Sequence, residues 1–181
     1  MTSFSELKLC EPLARALNTL GYDSPTPIQE QAIPHLLNGQ DLLGIAQTGT
    51  GKTAAFALPC LDWIFTEAGD PPKRGARVLI LAPTRELVGQ IYDSFVSYGR
   101  FMMELRAAKV VGGVSINNQI KRLVAENDVL VATPGRLIDL LDRKAITLRD
   151  VDILVLDEAD QMMDMGFIHA LKRIIPLLPD E

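Results

Sequence analysis

The sequence predicts an α/β fold in which a parallel β-sheet is flanked by helices on both faces. Short β-type runs alternate with longer amphipathic stretches along the chain, the order that strand–helix–strand units produce. Val78-Leu79-Ile80-Leu81 and Ile153-Leu154-Val155-Leu156 are continuous apolar runs, as strands covered on both faces require. At 181 residues the chain is long enough to bury one full core.

The first helix is expected over residues 11–20, where Leu13, Leu17 and Leu20 share a face and Gly21 is placed to end it. A second helix follows over 27–37, a strand over 41–46 and a helix over 52–65. The run EAGDPPKRGA at 67–76, polar and rich in Pro and Gly, is the one evident loop. Beyond it come strands at 78–82, 106–111, 128–132 and 153–156. Helices over 85–98, 115–125, 135–142 and 167–178 connect and close them. Without repeats, low-complexity segments or an internal boundary, residues 1–181 read as one domain.

Composition excludes several function classes. No apolar run approaches the roughly 20 residues of a membrane span, and the N-terminus lacks the basic and apolar regions of a secretory leader. A cytoplasmic address without membrane attachment is therefore expected. Cys10 and Cys60 lie far apart in apolar settings with no nearby histidine, so they read as buried free thiols. The net charge of −5 gives no overall basic field, so any nucleic-acid contact must come from local groups.

Chemistry is concentrated first in Ala46-Gln47-Thr48-Gly49-Thr50-Gly51-Lys52-Thr53, between an apolar run and a helix. Gly49 and Gly51 permit positive φ and close approach of N–H groups to an anion, and the helix adds the positive end of its dipole. Lys52 can reach the outer phosphates of a nucleoside triphosphate, and the Thr53 hydroxyl can ligate Mg²⁺. Ala46 stands where the general phosphate-loop pattern has glycine. ATP or GTP binding follows.

The second concentration is Asp157-Glu158-Ala159-Asp160, at the end of an apolar strand. Asp157 is placed to hold Mg²⁺, directly or through water, and Glu158 to orient or deprotonate an attacking water. An acidic helix N-terminus would explain the same letters, but beside a phosphate loop the two sites complete each other.

Those four residues spell the motif that names the DEAD-box family of ATP-dependent RNA helicases, and the resemblance continues along the chain. Gly21-Tyr22-Asp23-Ser24-Pro25-Thr26-Pro27-Ile28-Gln29 resembles the family's Q motif, with Phe4 at the upstream aromatic position. AQTGTGKT agrees with the family's motif I, Ala46 included. Pro83-Thr84-Arg85-Glu86-Leu87 resembles motif Ia, Gly112-Gly113 the GG motif, and Thr133-Pro134-Gly135-Arg136 motif Ib. The wording around the loop is most similar to bacterial members, of the RhlE type. Val88 after PTREL and Gln161 after DEAD depart mildly from the usual residues.

The resemblance implies a RecA-like, P-loop ATP-binding domain, with residues 1–30 as its Q-motif region. It implies that Gln29 selects adenine, with Tyr22 and Pro25 beside it, and an amide can pair with both the donor and the acceptor on that edge. Thr26 to Gln29 also spell a capping box with proline at N1, so a capping role stands beside the adenine role. Phe4 would stack on the adenine or anchor the N-terminal segment. Pro83, Thr84, Arg85, Gly113, Thr133, Pro134, Gly135 and Arg136 would line an RNA path, contacting phosphates without reading sequence. The alternative for Arg85 and Arg136 is a salt bridge to the DEAD or Glu86 region. Lys73, Arg74, Arg77, Lys121 and Arg122 carry no motif and read as solvated charge.

The family's SAT motif and its second RecA-like domain, with an arginine finger, do not occur in these 181 residues. The chain therefore reads as the first half of a two-domain motor, with the second domain as its partner. Such a piece should bind nucleotide, hydrolyse ATP very slowly and not unwind RNA, since an arginine finger contributes about 10³–10⁵ in rate. A nucleotide-dependent RNA clamp and a DNA motor are the competing readings.

Overall fold

The computed structural model describes residues 3–180. Met1 and Thr2, the start of the N-terminus read as lacking a leader, fall outside them. The residues divide into two compact units, one of residues 3–68 with 93–104 and one of 69–92 with 105–180.

The first unit opens with a 3₁₀ turn, Phe4–Leu7, that buries both of its end residues. Helix α1 (Glu11–Thr19) follows, with Leu13, Ala16 and Leu17 buried on one face, as the spacing predicts. Its start is held from a distance: the Cys10 N–H donates to the Asp62 carboxylate at 2.6 Å. Helix α2 (Pro27–Leu37) begins at the expected proline and buries Ala32 and Ile33. Helix α3 (Lys52–Thr66) is apolar through most of its length, burying Ala54, Ala57, Leu58 and Leu61. Pro59 lies inside it. Phe56 and Phe95 meet at 6.4 Å between ring centroids.

Residues 41–46, expected as a strand, do not form one. Residues 41–47 take neither helix nor strand, and Leu43 and Ile45 are 89% and 90% exposed. Apolar content makes a strand only where a second strand takes up its N–H and C=O groups, and Gly44 at the centre weakens the local preference.

The second unit is built on four parallel strands, β1 (Val78–Leu81), β2 (Ala107–Val110), β3 (Val129–Ala132) and β4 (Ile153–Leu156). Their order across the sheet is β2-β3-β1-β4. The central pair is buried at every position, which is why β1 reads as an unbroken apolar run. The same unit holds residues 85–92 of α4 (Arg85–Tyr98), together with α5 (Ile116–Leu123), α6 (Pro134–Asp142), α7 (Ala159–Asp164) and α8 (Ile168–Ile174). Leu79, Leu81, Leu130 and Ala132 share one core with Leu137 and Leu140 of α6 and Leu171 and Ile174 of α8. The expected helix over 167–178 is thus shorter and passes into a 3₁₀ turn, Ile175–Leu177, with Pro176 inside it. α7 matches the acidic helix N-terminus that stood as the alternative reading of Asp157 to Asp160; it follows Glu158, which is in the left-handed conformation, and stops before Gly166, φ +84°.

The loop at 67–76 is more ordered than its composition suggests. The backbones of Lys73 and Glu126 form an isolated antiparallel β-bridge, the Asn127 N–H donates to the Pro72 carbonyl, and the Thr147 N–H donates to the Arg74 carbonyl. Arg77 is not simply solvated either: it pairs with Asp152 at 3.4 Å and donates to the Asp70 carbonyl at 3.1 Å. Among the described residues no helix is long and apolar enough to cross a membrane.

Candidate functional site

Parallel pairing sets the geometry of the second unit's functional edge. Leu81 is in register with Ala132 and with Leu156, and Val110 with Ala132. All four strands therefore end in one row, and the chain leaves each of them at the carboxyl edge, where open α/β sheets bind ligands. After β2 come Gly112 and Gly113, after β3 Thr133 to Arg136, after β1 Pro83 to Arg85, and after β4 Asp157 and Glu158. With strands about 4.8 Å apart, the three segments expected to meet RNA are neighbours, and the acidic pair lies at one end of the row.

The row is fixed by backbone bonds just past the strand ends. The Ala82 N–H donates to Ala132, the Thr133 N–H to Val110 and the Asp157 N–H to Leu81. Thr84 caps α4, its hydroxyl oxygen accepting the Leu87 N–H at 3.2 Å. Thr133 precedes α6 with Pro134 at its first turn, leaving Gly135 exposed. Asp157 is buried, and its carboxylate accepts the Glu158 N–H at 3.1 Å. Glu158 itself sits at φ +52°, a conformation that costs a non-glycine residue about 1–2 kcal/mol.

Arg85 is exposed and lies over the second glycine of the GG pair: a Cβ on Gly113 would stand 2.5 Å from Arg85 Nη1. Arg136 does not make the salt bridge to the DEAD or Glu86 region that was its alternative role. Its Nη1 donates to the Val114 carbonyl at 2.8 Å and to Gln119 Oε1 at 2.9 Å, and its Nε faces Asp139 at 3.8 Å. Gln119, which the sequence reading passed over, is buried and returns a bond from Nε2 to the Val111 carbonyl at 2.9 Å. A glutamine four residues before the helix's last apolar residue gave no local signal of this.

In the first unit the phosphate-loop residues and Gln29 come together. Gly49 and Gly51 have φ +78° and +84°, so both glycines occupy conformations that L side chains avoid. The Thr50 hydroxyl donates to the Gln47 carbonyl at 2.6 Å, closing the loop on itself. α3 begins at Lys52, with Thr53 next, both half-buried, while Gln47, Thr48 and Gly49 are exposed and Ala46 half-buried.

The capping box at Thr26 and Gln29 is present, and it also grips that loop. The Thr26 N–H donates to Gln29 Oε1 at 3.0 Å. The Thr26 hydroxyl donates to the Thr50 carbonyl at 2.8 Å, and Gln29 Nε2 to the Gly51 carbonyl at 3.1 Å. An amide has two N–H donors and two carbonyl lone pairs, so these bonds leave one of each on Gln29. Capping and a donor–acceptor contact with a base edge are therefore compatible. Pro25 is half-buried, and exposed Tyr22 meets Tyr98 at 6.3 Å between ring centroids. Phe4 is only 8% exposed, which fits the anchoring role more directly than the stacking one.

Hard oxygen donors, the Thr53 hydroxyl and the Asp157 carboxylate, suit Mg²⁺ in type. Among the described residues no three His, Cys, Asp or Glu side chains gather at one position; Mg²⁺ on a nucleotide needs only one or two protein ligands besides phosphate and water. Both cysteines are free. Burial pushes the Cys60 thiol up to about 12 and the Cys10 thiol up to about 11, the Asp62 carboxylate adding to the second. Burial thus disfavours the thiolate, the reactive form, at both positions.

The ATP-dependent RNA helicase DeaD of Escherichia coli is 44% identical over 179 residues, covering 99% of this chain and 28% of that protein. The DEAD-box ATP-dependent RNA helicase CshA of Bacillus cereus is 42% identical over 180 residues, covering 99% and 33%. The chain thus spans about a third or less of the length of these curated relatives. Both are bacterial, as the loop wording suggested, and neither name supports the RhlE type. The family model described as DEAD/DEAH box helicase matches residues 26–181, from the capping threonine of α2 through the acidic strand end and beyond. This chain belongs to the DEAD/DEAH box helicase family.

Proposed function

We propose that residues 1–181 are the first RecA-like domain of a bacterial ATP-dependent RNA helicase, binding ATP-Mg²⁺ and the RNA backbone. The observation that carries this reading is the interlocked phosphate loop: two glycines at positive φ, opening on α3, with Gln29 bonded to the Gly51 carbonyl. Lys52 neutralises the outer phosphates, Gln29 takes the adenine edge with its remaining N–H and lone pair, and Tyr22, Pro25 and Phe4 border the base. Thr53 would offer Mg²⁺ a hydroxyl ligand and Asp157 a carboxylate, and the ion would offset phosphate charge. Glu158 orients the attacking water, its backbone held at φ +52°. The row of Gly113, Thr133 to Arg136 and Pro83 to Arg85 supports the RNA part of the reading, because hydroxyls, the exposed Arg85 guanidinium and helix N-termini suit phosphates without selecting bases.

In the whole protein a second RecA-like domain completes the ATPase site, and hydrolysis drives local separation of RNA strands. The isolated chain binds nucleotide and turns over very slowly, since charge at the transferred phosphoryl lacks an arginine finger.

Calorimetric titration of ADP, ATP and GTP with Mg²⁺ tests the nucleotide assignment. Wild type is expected to prefer adenine nucleotides, Gln29→Ala to lose the preference, and Lys52→Ala to lose most affinity. Equal binding of GTP by wild type returns Gln29 to capping alone.

A further inference from the structure

Gln119 belongs to none of the motifs, yet it is 7% exposed and holds a bond at each end of its amide. One end donates to the Val111 carbonyl, immediately before the GG pair. The other accepts from Arg136, whose Nη1 also donates to the Val114 carbonyl, immediately after it. The turn 111–114 is therefore gripped on both flanks by one glutamine–arginine unit rooted in α5 and α6. Its tip needs such support: Gly113 is at φ +74° and exposed, with the Arg85 guanidinium occupying the space a Cβ there would take.

The geometry points to Gln119 as a positioning residue for RNA binding: with Arg136 it clamps the Gly112-Gly113 turn, so that Arg136 acts through the turn rather than as a phosphate ligand. This rests on the reading that the GG turn faces RNA. The physical case is burial. The Arg136 side chain is only 13% exposed, and its Nη1 is already committed to Val114 and Gln119. So little exposed, the guanidinium presents its remaining N–H groups poorly to a phosphate, whereas breaking its partner leaves a buried charge-assisted bond unmade. A backbone site on a two-glycine turn gains affinity only if its shape is fixed beforehand.

The test uses the 181-residue chain and a fluorescein-labelled single-stranded uridine decamer, with ADP titration as control. Gln119→Met, close in shape but unable to bond either flank, is expected to weaken RNA binding roughly tenfold while leaving ADP affinity unchanged. Arg136→Gln should lose a similar factor. The double variant should lose no more than the worse single, because both act through one clamp. In the ligand-free chain, Gln119→Met should shift and broaden the Gly112, Gly113 and Val114 amide resonances, a readout that needs no RNA. Unchanged RNA affinity and unchanged turn amides in Gln119→Met, or fully additive losses in the double variant, overturn the proposal. If RNA fails to move the Gly113 amide of wild type, the RNA reading of the turn falls, and the proposal with it. A turn that loosens in Gln119→Met identifies that case as a failure of the RNA reading rather than of the clamp.

Discussion

A Cβ on Gly51 would overlap Gln29 Nε2 and sit 3.1 Å from the Thr26 hydroxyl, at φ +84°. Two penalties therefore fall on one substitution, a left-handed backbone and the loss of the Gln29 bond to the loop. Gly51→Ala is expected to cost about 1–3 kcal/mol of stability and to weaken ADP binding more than Gln29→Ala does. Chemical denaturation together with ADP titration checks both. Sequence alone made the left-handed glycines of the loop legible, because their requirement is local and their order fixed. It could not show that Gln29 serves the cap and the loop together, since the contact with Gly51 spans 22 positions. Gln119 was invisible for the same reason. Its partners lie in two other segments, and an amide on a polar helix face looks ordinary until its burial is known.

Helix α1 depends on a residue of α3. The Asp62 carboxylate accepts the Cys10 N–H at the open N-terminus of α1, where a negative charge is favoured by the helix dipole. Asp62→Ala is expected to destabilise the chain by about 1–2 kcal/mol and to speed hydrogen exchange in α1 before other helices. Uniform exchange across the chain would show that the bond contributes nothing specific to α1. Elements with strong periodicity or clear punctuation were readable in advance. α2 and α4 begin and end at the expected residues; Pro27 announced the first, and the Thr84 cap fixes the start of the second. α7 was legible only as an acidic helix N-terminus, without bounds, because six residues carry too little periodicity to define them. Residues 41–46 were misread for the opposite reason. A β-like pattern describes what a segment does when paired, and pairing is a tertiary property.

For the whole molecule, pH acts through a buried carboxylate away from the functional row. Burial raises Asp128 above its ordinary 3.8, against the lowering influence of the Arg106 N–H and of the Arg106 and Arg77 charges. Between 3.8 and the higher folded value, the native chain keeps a proton the unfolded chain has released. Stability from this group therefore falls as pH rises through that window and is level above it. Asp128→Asn, which retains an oxygen for the Arg106 N–H, removes this dependence. Urea midpoints between about pH 4 and 7 should show the variant gaining on wild type as pH rises, then running parallel. A constant difference across the range would count against it. The α/β class itself was legible from the alternation of runs. The division into two compact units was not, because α4 and the connections around it carry no composition break.

The bonds from Thr26 and Gln29 to Thr50 and Gly51 also set a limit on trimming this protein. The eight residues of AQTGTGKT look self-sufficient, and a designer seeking a minimal nucleotide-binding piece would be tempted to cut just upstream of them. A chain begun at residue 30 keeps every letter of that run yet loses both side chains that hold its carbonyls in place. One begun at Thr26 keeps them but strips away Leu13, Ala16 and Leu17, whose buried faces close the same unit. The smallest heritable cassette for this loop is therefore much longer than its signature, and grafting the signature alone would transplant the letters without their shape.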